Sequence, residues 1–403
     1  MMAFHAHAPA GEWLNDPNGL LFSGGRWRLF AQHRADAPDF AATGWARLSG
    51  DDLLRWDWDG VAIPAGDEWA YSGCVLPGPV AVHTAHAAGL ERQVLRRSGD
   101  GGRTWGPARA LDGLGGAARN RRDPFVWPVN GGWRMLLAAP CDWRAWRDEG
   151  PSRLLLFEAE ALEGPWRAAG EVTVGLPRGV MLEMPARVAV PGGGEALVWS
   201  TVDRRGDGAD GTVWRWDGGF ADGRWQGSGT PCRLDLGPDF YAAIPGGDML
   251  IGWASSWATA RAMPWGGFHG GPLSLPRAMT AAGSAPVPAI ADRFSVRQTT
   301  MPAAGLGVAA VAGVFSLRIE GHGAAFTLAV AADGAARLER TGDFAWGDEA
   351  RLQAGPKRLS LFVDGPLVEL HIAPDDRWVT VAVPVVGAFA VHGVAFDWFG
   401  LAD

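Results

Sequence analysis

Lysine, tyrosine and cysteine are scarce in this chain of 403 residues, and it has no long apolar run. Its only lysine is Lys357, and it has two tyrosines and three cysteines. Because the cysteines are odd in number and far apart, they predict neither a disulfide framework nor a zinc site. The most apolar stretch, residues 301–317, contains a proline and several glycines and falls short of the ~20 apolar residues that cross a bilayer. We therefore predict free thiols and no membrane segment.

A basic surface is missing as well. The chain has 36 basic and 44 acidic residues, a formal net charge of −8 and no arginine-dense stretch. This balance excludes the electrostatic pattern of a nucleic-acid-binding protein. Residues 1–15 contain neither lysine nor arginine and no apolar core of the length found in secretory signals. We therefore expect no nucleic-acid partner, no membrane partner and a cytoplasmic location, and the sequence leaves the oligomeric state open.

Glycine is abundant, with 58 residues, and it marks a repeat along the first 283 residues. Four Gly-rich turns, each followed by a short apolar strand, begin at Gly24, Gly131, Gly192 and Gly246. A polar anchor precedes each turn, and a weaker fifth unit completes the series. The anchors are Asp16, Ser72, Asp123, Glu183 and Asp239, at intervals of 51 to 60 residues. Units of this length with Gly-rich turns are typical of four-stranded propeller blades.

The predicted fold class is all-β, with a five-bladed β-propeller followed by a smaller C-terminal β-sandwich. The propeller is predicted over residues 1–283, a linker over 284–300 and the sandwich over 301–403. Residues 301–403 alternate apolar and polar side chains and contain Asp-Gly turn dipeptides, a pattern that favours short antiparallel strands. The alternative, a tail that adds a sixth and a seventh blade, is disfavoured because the polar anchor does not recur there.

Three of the anchors, Asp16, Asp123 and Glu183, are carboxylates that would open the inner strands of different blades. Taken alone, each has an ordinary structural interpretation: Asp16 lies in a turn motif, Asp123 can pair with its neighbour Arg122, and Glu183 is a charge at a strand end. Their repetition in register favours a functional reading, because crowding acids in one cleft costs electrostatic energy. Glycoside cleavage uses such a set, with one carboxylate as nucleophile and one carboxylic acid to protonate the leaving oxygen.

A series of motifs in this order resembles glycoside hydrolase family 32, which comprises the invertases, inulinases and levanases. The motifs are Trp-Leu-Asn-Asp-Pro-Asn-Gly at 13–19, Phe-Ala-Gln at 30–32, Tyr-Ser-Gly at 71–73, Arg-Asp-Pro at 122–124, Glu-Met-Pro at 183–185, Asp-Phe-Tyr-Ala at 239–242 and Gly-Trp-Ala-Ser-Ser-Trp at 252–257. The series spans about the first 280 residues, and a shorter match at 361–370 resembles part of the family's C-terminal sandwich.

The resemblance implies the same two-part fold and a retaining, exo-acting β-fructofuranosidase that needs no cofactor and no metal. Its partner would be sucrose, a fructo-oligosaccharide or a fructan such as inulin or levan. Matched by motif, Asp16 is the nucleophile, Glu183 the acid/base and Asp123 a stabiliser of the transition state. Retention predicts carboxyl groups of Asp16 and Glu183 about 5–5.5 Å apart. The implied substrate-binding residues are Asn15, Gln32, Phe40, Tyr71, Ser72, Arg122, Tyr241 and Trp257.

The chain departs from the family pattern at several positions around this site. Phe40 stands where the family has a pocket tryptophan, Met184 replaces a cysteine and Ala186 replaces an aspartate. A Trp- and Arg-rich segment at 142–147 is predicted either to shape the leaving-group subsite or to be a surface loop. Three alternatives stay open: a fructosyltransferase on the same scaffold, an inverting arabinanase-like furanosidase and a non-catalytic sugar-binding propeller. Substrate linkage, chain length and phosphorylation are left undetermined.

Overall fold

The computed structural model describes residues 2–35, 40–142, 147, 150–203, 205, 211–221, 223–387 and 389–402. Within these ranges the regular structure is almost entirely strand, and the predicted all-β class is confirmed. The one helix of the described residues is a four-residue turn of helix, α1 (Pro288–Ala291). No helix in that part of the chain has the length and apolar character needed to cross a membrane.

The first part of the chain forms five consecutive antiparallel sheets. Their strands are, sheet by sheet, β1 (Trp13–Ser23), β2 (Arg26–Arg34), β3 (Gly44–Gly50) and β4 (Asp57–Ile63); β5 (Trp69–Leu76), β6 (Val80–Ala87), β7 (Leu90–Arg97) and β8 (Arg109–Ala110); β9 (Arg122–Val129), β10 (Gly132–Ala139), β11 (Arg153–Ala159) and β12 (Arg167–Val172); β13 (Val180–Val190), β14 (Gly194–Asp203), β15 (Gly211–Ala221), β16 (Arg224–Gly227) and β17 (Cys232–Arg233); β18 (Tyr241–Gly246), β19 (Met249–Trp253), β20 (Arg277–Met279) and β21 (Ser284–Pro286). Strands adjacent in sequence pair with one another, and β17 adds to β15.

The first strands of these five sheets lie side by side. Strand β1 contacts β5, β5 contacts β9, β9 contacts β13, β13 contacts β18, and β18 returns to β1. Four of the predicted anchors lie in these strands, and Asp239 lies just before β18. Each sheet of the described residues is an open ladder, so the predicted count of five blades stays a prediction here.

The predicted Gly-rich turns join the first strand to the second in four of the sheets. Gly24 and Gly25 connect β1 to β2 with φ of 61° and 78°, and Gly131 begins the hairpin into β10 with φ of 83°. Residues with a Cβ adopt this left-handed region at a steric cost, so glycine suits these tight connections. The turns bring each second strand back along its first strand and fix the register of the pair.

The remainder of the chain forms two sheets that share one hydrophobic core. Their strands are β22 (Phe294–Gln298), β23 (Ala304–Val311), β24 (Phe315–Glu320), β25 (Ala325–Val330), β26 (Ala335–Thr341), β27 (Trp346–Arg351), β28 (Lys357–Asp364), β29 (Leu367–Ala373), β30 (Arg377–Ala382), β31 (Ala390–His392) and β32 (Asp397–Leu401). The sixth sheet has the order β22-β32-β23-β28-β29-β30, and the seventh has the order β27-β26-β25-β24-β31. Leu317 and Leu328 of the seventh sheet are buried in the same cluster as Leu361 and Leu370 of the sixth.

The segment predicted as a linker, residues 284–300, contains regular structure. Strand β21 is the edge of the fifth sheet, α1 follows, and β22 is the edge of the sixth sheet. Its Pro- and Ala-rich composition suits edge positions, where a proline removes no ladder hydrogen bond that a neighbour needs. The segment therefore connects the two parts of the chain by adding a strand to each.

A buried network of charged side chains joins the N-terminal segment to the fifth and sixth sheets. His5 contacts Asp364 at 2.9 Å through Nδ1 and Glu369 at 2.8 Å through Nε2. Arg277 donates to Glu369 and to Asp235, each at 2.7 Å. Burial by itself lowers the pKa of His5, but the hydrogen bonds and charges of its two carboxylate partners raise it to about 9. At neutral pH the imidazolium is therefore charged and paired.

Candidate active site

The ladder between first and second strands is interrupted in each of the five sheets near the start of the first strand. On β1 the register shifts between Leu14 and Pro17, and on β13 it shifts between Glu183 and Ala186. Equivalent shifts occur on β5, β9 and β18. A bulge of this kind bends the strand and redirects the side chains beside it. The irregular backbone thus lies at the residues that the repeat marks as anchors.

One cavity of about 700 Å³ brings the three predicted catalytic carboxylates together. Ten of the eleven predicted site residues line it: Asp16, Gln32, Phe40, Tyr71, Ser72, Arg122, Asp123, Glu183, Tyr241 and Trp257. The eleventh, Asn15, is fully buried and donates a hydrogen bond of 3.0 Å from Nδ2 to Asp16 Oδ1. Residues from all five first strands therefore meet at one place.

Asp16 is held by donors on both of its carboxylate oxygens. Ser72 Oγ donates to Oδ2 at 2.9 Å, and Asn15 donates to Oδ1. Asn15 also donates to Gln32 Oε1 and accepts from Trp13 Nε1 at 2.9 Å, so its amide is fixed. Burial and the charge of Glu183 raise the pKa of Asp16 to about 6, against the opposing effect of these hydrogen bonds. Because this pKa still lies below neutral pH, the carboxyl is ionised there, and the two donors orient it into the cavity.

Asp123 occupies a left-handed backbone position, with φ of 59°, on β9. Its own N–H donates to Thr84 Oγ1 at 3.0 Å, and its Oδ2 accepts the N–H of Met184 at 3.0 Å. Burial and the charge of Glu183 raise its pKa well above the ordinary range, while Arg122 opposes that rise. The side chain is only 5% exposed and is thus fixed between the third and fourth sheets.

Glu183 is held by one charged and one neutral donor. Arg122 Nε donates to Oε1 at 3.0 Å, and the Tyr241 hydroxyl donates to Oε2 at 2.6 Å. Its side chain keeps 17% of its surface exposed, and that surface faces the cavity. The carboxylates of Asp16 and Glu183 thus differ in environment: hydroxyl and amide donors hold the first, whereas a guanidinium and a phenol hold the second. Such a difference allows one to act as nucleophile and the other as acid.

Three aromatic rings form one wall of the cavity. Phe40 lies 5.8 Å from Tyr71 and 5.3 Å from Trp257, measured between ring centroids. Burial raises the pKa of Tyr71 to about 12, so its hydroxyl keeps its proton. Trp257 is the tryptophan on this wall, whereas seven others are among the largest fully buried side chains and pack the sheets. Flat apolar faces with polar edges suit the ring of a sugar.

Sequence reasoning missed seven residues that line the same cavity: His86, Gly89, Glu91, Arg119, Asn120, Met181 and Arg261. Asp142, the first residue of the predicted Trp- and Arg-rich segment, lines the cavity as well. Most of the seven come from second strands and connecting loops, which carry no anchor of the repeat. His86 stacks on Tyr71 at 4.7 Å, and Glu91 is ion-paired with Arg122. No pattern in the chain marks these positions, because only the folded arrangement places them beside the acids. Residues 143–146 of the predicted Trp- and Arg-rich segment lie outside the described residues.

A family model for the N-terminal domain of glycosyl hydrolases family 32 matches residues 5–286. Raffinose invertase of Escherichia coli is 29% identical over 314 residues, which cover 68% of this chain and 61% of that protein. Sucrose-6-phosphate hydrolase of Escherichia coli is 29% identical over 287 residues, which cover 63% of this chain and 57% of that protein. The match therefore spans less than two thirds of the length of these curated relatives.

A solved structure of sucrose-6-phosphate hydrolase from Lactobacillus gasseri has the same fold. It superimposes with a TM-score of 0.81 at 19% sequence identity, and the match covers 100% of this chain and 93% of that chain. At this identity the likeness concerns the fold alone.

Proposed function

Because the chain belongs to glycosyl hydrolase family 32, we propose that it is a retaining, exo-acting β-fructofuranosidase. It would release terminal fructose from sucrose, fructo-oligosaccharides or the fructans inulin and levan. The observation that carries this proposal is the presence of Asp16 and Glu183 on one cavity in two different environments. The relative named raffinose invertase supports the same class of substrate.

In the first step, Asp16 attacks the anomeric carbon of the fructosyl unit while Glu183 gives its proton to the glycosidic oxygen. The bond to the leaving sugar breaks, and a fructosyl ester of Asp16 forms. The donors of Ser72 and Asn15 keep the attacking carboxylate ionised and aimed. Arg122 and Tyr241 hold the acid in place for the proton transfer.

In the second step, Glu183 removes a proton from water, which attacks the ester and releases fructose. Glu183 is then protonated again, and Asp16 returns to the carboxylate. Asp123 would hold fructose hydroxyls through both steps, because its carboxyl faces the same cavity from β9. A fructosyltransferase would share the first step and use a sugar hydroxyl in place of water in the second.

On the same proposal, the architecture is a five-bladed propeller over residues 1–283 joined through 284–300 to a sandwich over 301–403. Support for five blades comes from the cyclic order of contacts among β1, β5, β9, β13 and β18. Support for the sandwich comes from the core that the sixth and seventh sheets share. This arrangement explains why residues remote in sequence line one cavity.

A phosphorylated sucrose is a second candidate substrate, and two arginines favour it. Arg119 and Arg261 line the cavity, are exposed, and have no hydrogen bond or ion pair to another residue of the described ranges. Guanidinium groups bind phosphate through paired hydrogen bonds. A relative is named sucrose-6-phosphate hydrolase. If these arginines bind a phosphate, Arg119→Gln and Arg261→Gln will lower kcat/KM for sucrose 6-phosphate and leave that for sucrose unchanged.

The deciding experiment is chromatography of the products from sucrose, raffinose, inulin, levan and short fructo-oligosaccharides. Free fructose as the first product is expected, and the Asp16→Asn protein serves as the matched control. Proton NMR of the first turnover reports the anomer: β-fructofuranose supports retention, and α-fructofuranose supports an inverting furanosidase. Longer fructosides at high sucrose would show a transferase, and sugar binding without any turnover would show a binding protein.

A further inference from the structure

A second buried carboxylate, Glu91, shares the guanidinium that holds Glu183. Arg122 Nη1 donates to Glu91 Oε1 at 2.8 Å, while Nε of the same side chain donates to Glu183 Oε1 at 3.0 Å. The side chains of Glu91 and Arg122 are 6% and 12% exposed, so water screens this pair weakly. One cation therefore lies between two carboxylates that belong to the second and fourth sheets.

The position of Glu91 is fixed by its backbone as well as by its side chain. Its N–H donates to the carbonyl of Ala118 at 2.8 Å, and its own carbonyl accepts the N–H of Ala118 at 2.9 Å. Its second carboxylate oxygen accepts the N–H of Arg121 at 2.5 Å. Glu91 is therefore anchored to the segment that leads directly into β9, which carries Arg122 and Asp123.

The charge of Arg122 would by itself favour the ionised form of Glu183. Burial alone lowers the pKa of Arg122, but the charges of Glu183, Glu91 and Asp123 raise it overall, so the guanidinium stays charged. A cation committed wholly to Glu183 would hold that group as a carboxylate. To protonate the leaving group, Glu183 must instead be a neutral carboxylic acid at the moment of proton transfer.

We propose that Glu91 is a positioning residue: it holds Arg122 against Glu183 and, by sharing the guanidinium charge, makes Glu183 easier to protonate than it would be beside a cation that paired with it alone. This inference rests on the proposed function, because it assigns Glu183 the acid role. The catalytic pair is then tuned by a third carboxylate that touches neither reacting atom. The other titratable or charged groups that line the same cavity are Asp16, Asp123, Tyr71, His86, Tyr241, Arg119, Asp142 and Arg261.

None of these groups replaces the charge of Glu91 on Arg122. Tyr241 is a neutral donor to Glu183, and Tyr71 keeps its proton because burial raises its pKa to about 12. Burial lowers the pKa of His86, so this imidazole is uncharged on the alkaline side of neutrality, where the basic limb lies. Asp16 and Asp123 are unchanged in all the variants of the test, so their charges are common to all of them.

The test is the pH dependence of kcat/KM for fructose release from sucrose in the wild type, Glu91→Gln and Glu91→Asp. The basic limb of this profile reports loss of the proton from the acid. Glu91→Gln is expected to move that limb to lower pH by about one unit or somewhat less, because Arg122 then acts on Glu183 alone. Glu91→Asp keeps the charge but draws it back from Arg122, so the limb should move the same way by a smaller amount.

Glu68→Gln is the matched control. Like Glu91, Glu68 pairs with an arginine, but its partner is Arg92 on β7, and Glu68 does not line the cavity. This control should leave the limb unmoved. A Glu91→Gln enzyme with lower kcat at every pH and an unmoved limb would overturn the proposal, as would a rise in KM alone. If Glu91→Gln does not fold, an unmoved limb in Glu91→Asp has the same meaning. Failure of the proposed function is distinct, because the wild type itself would then release no fructose.

Discussion

Ser72 on β5 donates a hydrogen bond of 2.9 Å to Asp16 on β1, across 56 residues of sequence. The hydroxyl stabilises the ionised carboxyl and lowers its pKa, while burial and the charge of Glu183 raise it more, to about 6. The pKa of Asp16, the proposed nucleophile, is therefore set by opposing effects of groups that come from three different sheets. Its ionisation is expected to govern activity on the acidic side of neutrality.

Ser72→Ala is expected to move the acidic limb of the kcat/KM profile to higher pH. The wild-type limb should lie near pH 6, since Asp16, as the proposed nucleophile, must be ionised to attack and is protonated below that pH. Without the hydroxyl, the carboxylate loses a stabilising donor, and the limb should rise by up to about one unit. Initial rates of fructose release across the pH range measure this. Ser98→Ala, in an exposed turn, is the control, and an unmoved limb in Ser72→Ala would contradict the role of this hydrogen bond.

Asp16→Asn should abolish activity without lowering stability. Loss of a nucleophile is expected to reduce kcat by about 10⁴-fold or more. Because the folded state raises the pKa of Asp16, its ionisation destabilises the fold progressively from about pH 4 to pH 6 and fully above that range. The neutral amide removes this cost, so the thermal midpoint at pH 7 should be equal to or higher than that of the wild type. Calorimetry measures the stability and product assays measure the activity. An Asp16→Asn protein that kept the activity of the wild type would refute the assignment of Asp16 as nucleophile.

Glu183→Ala should impair cleavage of sucrose more than cleavage of an aryl β-fructofuranoside. General acid catalysis contributes about 10²–10⁴-fold, and a phenolate leaving group needs less of it. The loss of kcat/KM should therefore be smaller for the aryl substrate. Parallel assays of both substrates measure the difference. Equal losses would mean that Glu183 does not protonate the leaving oxygen.

His5→Ala should destabilise the protein although His5 does not line the cavity. It leaves Asp364 and Glu369 buried without their shared cation, which is expected to lower the free energy of unfolding by about 3–5 kcal/mol. Because the pKa of His5 is raised to about 9, its contribution is full below about pH 6.5 and is lost as the pH rises through 9. Denaturant unfolding at several pH values measures this, with exposed His322→Ala as the control. A variant as stable as the wild type at pH 6 would contradict the ion pairs.

The repeat and its anchors could be predicted from the sequence because the residues that form them lie close together along the chain. Gly-rich turns require positive φ, apolar strands follow them, and the interval between units reflects the length of four short strands. Edge strands were harder to recognise. Residues 284–286 look like a connection, since three residues carry no alternation, yet they pair with β20 once the fifth sheet exists.

The local pattern of residues was enough to predict an all-β chain, a repeated unit with an anchor in each, and the motif order that places the chain in its family. Which side chains share the cavity, and what charge each bears, depends on how the sheets come together. Glu91 contacts Arg122, and His5 contacts Asp364, only because segments 31 and 359 residues apart are brought together. Electrostatic effects depend on distance and burial, and neither is encoded locally; the titration of Asp16 is therefore a property of the folded molecule.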